Sequence, residues 1–249
     1  MPNPTWNPPP KVEEPFSYPS GASIGQFLAL MDDLQMIAWQ HAELFGLGYD
    51  HLQDETRLWV LTRLFVRLLA VPEADKTLTL RTWPTGYDKR QGYRDFLLLD
   101  GGTPVAEATS AWAVLERESR AMVDMAGVLA DRMPGDVIPR NLEFTSRTLP
   151  RLKQAAESLT VVVTEENIDV NGHVNNLNYL RWAVGALPAT EAEDARLVEA
   201  DMMFRAECFA GDELRTEYAA VAGERKQFLH SLIRNSDNRE VARILTVWK

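Results

Sequence analysis

The densest group of chemically active side chains lies in the segment Asp169–Tyr179. Its eleven residues include one carboxylate, one imidazole and four asparagines. Asp169, Asn171 and His173 alternate along it, so an extended backbone would place these three side chains on one side. The segment leads into a predicted helix, whose first free N–H groups favour anions. A group that activates water, together with donors for a developing oxyanion, is what the hydrolysis of a thioester requires.

The same segment also has a purely structural interpretation, because Asx residues and glycine suit a turn and a helix N-cap. A cap needs only one asparagine, however, and does not explain the alternation of acid, amide and imidazole. We therefore favour a catalytic site. His41 and His230 lack such a cluster and are predicted to be structural or surface residues. No set of His, Cys, Asp and Glu has the spacing of metal ligands, and no glycine-rich phosphate loop is present, so neither a metal nor a cofactor is predicted.

The elements around this segment fall into two similar halves. In the first half, apolar residues three and four apart predict a helix that begins near Ser23 and ends near Gly46. Four predicted strands follow it, namely Leu58–Leu69, Thr77–Trp83, Gly92–Asp100 and Pro104–Leu115. In the second half, a predicted helix over Asn175–Leu187 is followed by strands Leu197–Phe209, Glu213–Val221, Lys226–Arg234 and Glu240–Trp248.

A weak internal match supports a duplication. Phe65–Arg67 parallels Met203–Arg205, and Val105 with Trp112 seven residues later parallels Val241 with Trp248. The predicted class is α+β, with a long central helix wrapped by an antiparallel sheet, twice. We divide the chain into a flexible N-terminal arm (1–15), a first repeat (16–120), a linker (121–157) and a second repeat (158–249).

The composition is that of a globular protein with 249 residues, 45% of them hydrophobic. The net charge of −10 argues against nucleic acid as the main partner. The single cysteine excludes an intramolecular disulfide. The proline-rich start resembles neither a secretory signal nor a transit peptide, and no apolar run is long enough to span a membrane. We therefore expect a soluble, cytoplasmic protein.

The motif DVNGHVNNLNYLRW, which begins at Asp169, resembles the signature of hotdog-fold thioesterases of the 4-hydroxybenzoyl-CoA type. Together with the downstream FRAEC, which begins at Phe204, it is more specifically similar to the acyl-acyl carrier protein (acyl-ACP) thioesterases of plants and bacteria. Trp59–Arg63 and the stretch from Ala108 to Arg120 also resemble that family's first strands, and the resemblance covers nearly the whole chain.

The resemblance implies a double (tandem) hotdog fold and hydrolysis of fatty acyl-ACP to a free fatty acid and the carrier protein. It places the site in the second repeat, since the first repeat has Leu69 and Ala70 where the second has Glu207 and Cys208. The first repeat is then expected to line the acyl-chain pocket. Substitution of Ala38 by phenylalanine would test this by shifting the preferred chain length.

Two mechanisms remain open. Cys208 is the nucleophile in the first, activated by His173, with Asn171 orienting the imidazole. In the second, which we favour, Asp169 or Glu207 activates water directly or through His173. Asn171 and backbone N–H groups would then hold the thioester carbonyl, the candidates being Gly172, Val174, Asn175 and Asn176. Adjacent residues of a strand face opposite sides, so Glu207 and Cys208 should not both point at His173.

The implied partner, acyl carrier protein, is acidic, so the enzyme should offer a local basic patch. Residues 51–95 hold eight Lys or Arg and six Asp or Glu, and the candidate contacts are Arg57, Arg63, Lys89, Arg90 and, after the motif, Arg181. Acyl-CoA as the carrier, a hotdog dehydratase and a non-enzymatic acyl-binding protein are the alternatives. The oligomer is expected to be a monomer with an internal pseudo-dimer or a homodimer.

Overall fold

The computed structural model describes residues 9–48, 56–130, 132–133, 138–192 and 195–249. Its contacts divide the chain into two compact units. The first unit contains residues 1–19, 32–62 and 69–143, and the second contains residues 20–31, 63–68 and 144–249. In the described part of the chain, every helix is too short or too polar to cross a membrane.

The elements repeat in the same order in the two halves of the chain, and each half begins with a strand that the sequence did not predict. The first half comprises β1 (Val12–Ser17), α1 (Ser23–Leu44), β2 (Arg57–Leu68), β3 (Thr77–Tyr87), β4 (Gly92–Asp100) and β5 (Thr103–Glu116). A short helix, α2 (Ala126–Leu129), follows. The second half comprises β6 (Glu157–Val162), α3 (Asn176–Gly185), a short α4 (Ala189–Ala192), β7 (Leu197–Phe204), β8 (Glu213–Ala220), β9 (Lys226–Arg234) and β10 (Arg239–Trp248).

The strand order is the same in both halves. It is β1-β3-β4-β5-β2 in the first and β6-β8-β9-β10-β7 in the second, and the strand pairs are antiparallel. The two matched tryptophans also make the same contact. The indole N–H of Trp112 donates to the Ser110 hydroxyl at 2.8 Å, and that of Trp248 donates to the Thr246 hydroxyl at 3.0 Å. These parallels support the duplication inferred from the sequence.

The helix α1 has the length expected from its apolar spacing. Phe27, Met31, Leu34 and Ile37 are buried along one face. The predicted stop at Gly46 is confirmed: this glycine has a φ of +61°, and its N–H donates to the Glu43 carbonyl.

The predicted flexible arm is wrong for residues 12–15, which belong to β1 and pair with β3; residues 1–8 lie outside the described part. The strand β6 also lacks the apolar alternation of a half-buried strand, since five of its six side chains are exposed. Exposed edge strands need no apolar face, and β1 even contains Pro15. Periodicity therefore gave no signal for either strand.

Two further predicted boundaries differ from the structure near the candidate site. The strand predicted over Leu197–Phe209 ends at Phe204, because the N–H groups of Arg205 and Ala206 both donate to the single carbonyl of Val241 and interrupt the ladder. The second helix is also shorter than predicted. It begins at Asn176, with Asn175 as its N-cap, and ends at Gly185.

Candidate active site

The loop between β6 and α3 carries most of the predicted site. It contains one turn of 3₁₀ helix (Glu165–Asn167), followed by a tight reversal from Asp169 to His173. The N–H of Asp169 donates to the His173 carbonyl at 2.8 Å, and the reversal passes through Gly172 with a φ of +81°. Glycine adopts this left-handed conformation without steric cost, which explains its place in the motif.

Asp169 is the anchor of this reversal. Its Oδ1 accepts hydrogen bonds from the backbone N–H of Asn171 at 2.8 Å and of His173 at 3.3 Å. This is the local Asx geometry that stabilises a turn. The predicted catalytic carboxylate is therefore engaged in shaping the loop, and its position favours a positioning function over direct activation of water.

His173 and Glu207 lie close enough to form an ion pair in the candidate site. The imidazole Nε2 lies 3.4 Å from Glu207 Oε1, and both side chains are partly accessible, at 19% and 26%. The Phe209 ring packs edge-on against the imidazole at 5.3 Å between centroids. Asn171, two residues before His173, is exposed. The structure thus brings together a carboxylate and an imidazole that solvent and a substrate can reach.

The segment Arg205–Phe209, which carries Glu207, has no regular secondary structure and is held by contacts from three directions. The Arg234 guanidinium donates to the Glu207 carbonyl at 3.0 Å, and the Val174 N–H donates to the Cys208 carbonyl at 3.0 Å. The Phe209 N–H donates to Asp212 at 3.0 Å. Sequence reasoning missed Arg234 and Asp212, because neither lies in the motif and no local pattern marks them.

Cys208 is fully buried and points away from this pair. It shares a hydrogen bond with the Tyr179 hydroxyl, and burial raises the pKa of the Cys208 thiol. Burial likewise raises the pKa of Tyr179. A nucleophilic cysteine needs an accessible thiolate of lowered pKa, so these surroundings argue against the nucleophile mechanism. The expectation that Glu207 and Cys208 face different ways agrees with their contacts, although they do not lie in a strand.

Three of the four predicted oxyanion donors already donate to backbone carbonyls of the protein, which corrects the prediction. The N–H groups of Gly172, Val174 and Asn175 donate to the carbonyls of Asp169, Cys208 and Asn167 respectively. The Asn175 side chain also caps α3 by accepting from the Leu177 N–H at 3.0 Å. Because these N–H groups are paired within the protein, they cannot serve the substrate. Asn176 is the first residue of α3.

The arginines and the lysine predicted to contact the carrier protein lie in different surroundings. Arg63 is wrong as a carrier contact: it is buried and pairs with Asp201 through two hydrogen bonds of 2.8 and 2.7 Å. Arg57 is partly buried and pairs with Glu116. Lys89 and Arg90 are exposed in the turn between β3 and β4, and Arg181 is exposed beside Asn178. These four remain predictions.

The first half has no counterpart of the site loop. Only residues 18–22 separate β1 from α1, whereas residues 163–175 separate β6 from α3. The helix α1 is also longer, at 22 residues against ten in α3. The second half thus has a loop where the first half has helical turns. Within the described residues, no group of three or more His, Cys, Asp or Glu could hold a metal ion.

Comparisons with known proteins place the chain in a family. Sequence profiles of the N-terminal and C-terminal domains of acyl-ACP thioesterases match residues 24–131 and 151–249. A chloroplastic palmitoyl-acyl carrier protein thioesterase of Cuphea hookeriana is 26% identical over 94% of this chain. The chain spans 60% of that relative's length.

Solved structures agree on the fold. An acyl-ACP thioesterase from Bacteroides thetaiotaomicron superposes with a TM-score of 0.81 at 25% identity, over 96% of this chain and 98% of that one. The 12:0-ACP thioesterase from Umbellularia californica also gives 0.81, at 20% identity over 96% and 97% of the two chains. The fold is therefore the predicted double hotdog. With both of its profile domains matched in order, the chain belongs to the acyl-ACP thioesterase family.

Proposed function

We propose that this chain hydrolyses the thioester of a fatty acyl group on acyl carrier protein, releasing the free fatty acid and the carrier protein. The observation that carries the proposal is the partly accessible pair of His173 and Glu207, whose Nε2 and Oε1 atoms lie 3.4 Å apart. The exposed amide of Asn171 lies two residues before His173. Membership of the family supports the same reaction. The subcellular location and the oligomeric state stay predictions.

The pair supports activation of water. In this proposal the Glu207 carboxylate, 3.4 Å from Nε2, accepts the Nε2–H of His173 and so favours the tautomer in which Nδ1 is unprotonated. Nδ1 takes a proton as water attacks the thioester carbonyl carbon, and the Asn171 amide donates to the carbonyl oxygen as its negative charge grows. The tetrahedral intermediate then expels the thiolate, which takes the proton back from the imidazolium. The acid and the thiol are the products, and no covalent enzyme intermediate is needed.

The test is thiol release by the purified chain from a panel of fatty acyl groups, each attached to acyl carrier protein and to CoA. We expect turnover by the wild type and a loss of about 10²–10⁴-fold on Glu207→Gln, because a neutral amide no longer stabilises the imidazolium that forms when Nδ1 takes the proton. Glu224→Gln is the matched control, since Glu224 is an exposed glutamate in the turn between β8 and β9. Equal activity of Glu207→Gln and Glu224→Gln would contradict the assigned site.

The same panel separates the alternatives. We expect a higher kcat/KM with the carrier protein than with CoA for the same acyl group. A reversed preference would make the chain an acyl-CoA thioesterase that uses the same site. A dehydratase would release no thiol, and an acyl-binding protein would bind without turnover.

A further inference from the structure

A pocket of about 420 Å³ lies in the second unit, and neither His173 nor Glu207 lines it. It is strongly basic, although the chain as a whole is acidic. Five arginines and two glutamates are its charged lining residues, so their balance is 5 − 2 = +3 against −10 for the chain. The lining arginines are Arg151, Arg205, Arg215, Arg239 and Arg243.

The floor of this arginine pocket is one face of the sheet formed by β8, β9 and β10. Arg215 pairs across the strands with Ile233, and Ser231 with Arg243, so all four share that face. Residues on the other face of the strand, such as His230, face α3, since the backbone of Ala183 in α3 lies next to the His230 imidazole. The pocket and α3 therefore lie on opposite faces of the sheet.

Two glutamates hold the inner arginines in place. Glu240 accepts two hydrogen bonds from the buried Arg243, one of them at 2.9 Å from Nε, and lies 3.2 Å from Arg205. Glu217 accepts from Arg215 Nε at 2.6 Å. The other two nitrogens of Arg215 make only long contacts of 3.4 Å, to asparagine side chains. Three guanidinium groups are thus oriented by only two carboxylates.

The rim of the pocket adds two positive charges without a counter-charge. Arg151 and Arg239 are exposed, and neither side chain makes a hydrogen bond or ion pair with any residue that the structure describes. Like charges gathered in one concavity repel, and the repulsion is relieved when an anion binds among them. Guanidinium groups can form paired hydrogen bonds with the oxygens of a phosphate. A single carboxylate would neutralise only one of the three net positive charges, so the pocket favours a phosphate.

We propose that the arginine pocket binds a phosphate group. Its volume leaves room for the molecule to which the phosphate is attached. Two sources have this chemistry: the phosphodiester of the phosphopantetheine arm that carries the acyl chain, and a free phosphorylated metabolite that acts as an effector. The phosphopantetheine arm is a source only if the chain hydrolyses acyl-ACP, so this source rests on the proposed function. Arg205 lies two residues before Glu207, so the segment that carries the site carboxylate also lines the pocket.

The first experiment measures binding without requiring activity. Inorganic phosphate is the probe, titrated against chloride at constant ionic strength, with thermal unfolding and calorimetry as readouts. The pocket variant is Arg151→Gln with Arg239→Gln, and the control variant is Arg117→Gln with Arg147→Gln. All four are exposed arginines, so the two variants lose the same charge. We expect phosphate to stabilise the wild type and the control variant, and to bind the pocket variant at least tenfold more weakly. Equal binding by the two variants, or none by the wild type, would overturn the proposal.

The second experiment identifies the source. Fatty acyl pantetheine and fatty acyl phosphopantetheine carry the same thioester and differ only by the phosphate. If the substrate supplies the phosphate, the pocket variant raises KM about tenfold for the phosphorylated thioester alone. If a free metabolite supplies it, phosphate binding is lost while both KM values stay unchanged. A higher KM for acyl carrier protein with normal phosphate binding would mean that the pocket contacts acidic side chains, and would refute the proposal. Hydrolysis of the pantetheine thioester tests the proposed function separately.

Discussion

Asp169 and Glu207 carry the same functional group in different surroundings. Asp169 accepts two backbone N–H groups of its own loop, whereas Glu207 faces an imidazole that solvent can reach. A carboxylate that takes part in the reaction, directly or through an imidazole, must be free to face the reacting groups, and hydrogen bonds to the backbone oppose this. At the scale of residues, the proposed site is therefore one carboxylate and one imidazole, with the second carboxylate holding the loop.

Substitutions of Asp169 separate the two functions. Asparagine retains an oxygen that accepts from the N–H groups of Asn171 and His173, so we expect Asp169→Asn to keep kcat within about tenfold. Asp169→Ala removes both hydrogen bonds, at a cost of about 1–3 kcal/mol to the loop, and should lower kcat more strongly. Steady-state kinetics of both variants test this. An Asp169→Asn variant as inactive as Glu207→Gln would show that the Asp169 charge itself takes part in the reaction.

The surroundings of Cys208 lead to a second prediction at this scale. We expect Cys208→Ser to keep kcat within a few-fold, because the serine hydroxyl can still bond Tyr179 and the thiol takes no part in the proposed reaction. The variant should be less stable by about 1 kcal/mol, since a more polar group is then buried. Thiol-release kinetics and urea unfolding give the two values. A loss of kcat near that of Glu207→Gln would restore the nucleophile mechanism.

At the scale of elements, the site depends on an interruption in the sheet. The strand β7 ends at Phe204, and the following segment places Glu207 toward His173 and Cys208 toward Tyr179. Arg234 at the end of β9 holds this segment through the Glu207 carbonyl and is itself held by Asp237 at 2.7 Å. The carboxylate is thus oriented by an element that is distant in sequence.

Removal of Arg234 should therefore affect catalysis through Glu207. We expect Arg234→Met to lower kcat by about tenfold or more with a smaller change in KM, because misplacement of a reacting group lowers turnover. Far-UV circular dichroism should stay unchanged. Arg147→Met, an exposed arginine of the same unit, is the control. If kcat of Arg234→Met equals that of the control, the segment holds its position without this contact.

At the scale of the whole molecule, each unit contains a buried histidine that is neutral at physiological pH. Burial, followed by the nearby Arg94 guanidinium, lowers the pKa of His41 to about 4. Burial lowers the pKa of His230 to about 3. Both side chains are structural, as predicted: His41 Nδ1 lies 3.0 Å from Arg94, and His230 Nε2 lies 3.0 Å from the Thr246 hydroxyl.

These two histidines make stability depend on pH in a defined direction. Their pKa is about 6.5 in an unfolded chain, so below that pH the unfolded state binds protons that the folded state does not. The contribution of the two histidines to stability should be complete above about pH 7.5 and fall by about 2 kcal/mol per histidine between about pH 7 and pH 5. Urea unfolding at these pH values measures the loss. His41→Gln should remove about half of it, and an unchanged loss would contradict the assignment.

Much of the fold follows from local pattern alone. The helix α1 lies where periodicity predicts it, because it buries one apolar face. The strand β9 lies where a short run of apolar and aromatic residues between turns predicts it, and it is buried on both faces. The edge strands β1 and β6 escaped prediction because hydrogen bonding to a neighbouring strand, rather than an apolar face, holds them in place. The duplication was readable because matched residues keep their spacing within each half.

The sequence by itself determined the family, the double hotdog fold and the place of the candidate site at the start of α3, because motif and periodicity are local properties of the chain. Only the tertiary structure decided which groups meet. It placed Glu207 beside His173, turned Cys208 into the interior and buried Arg63 against Asp201. It also gathered five arginines, scattered in sequence from residue 151 to residue 243, into one pocket. Such contacts join residues that are far apart in the chain, and strand pairing and burial, which no local pattern encodes, select their partners.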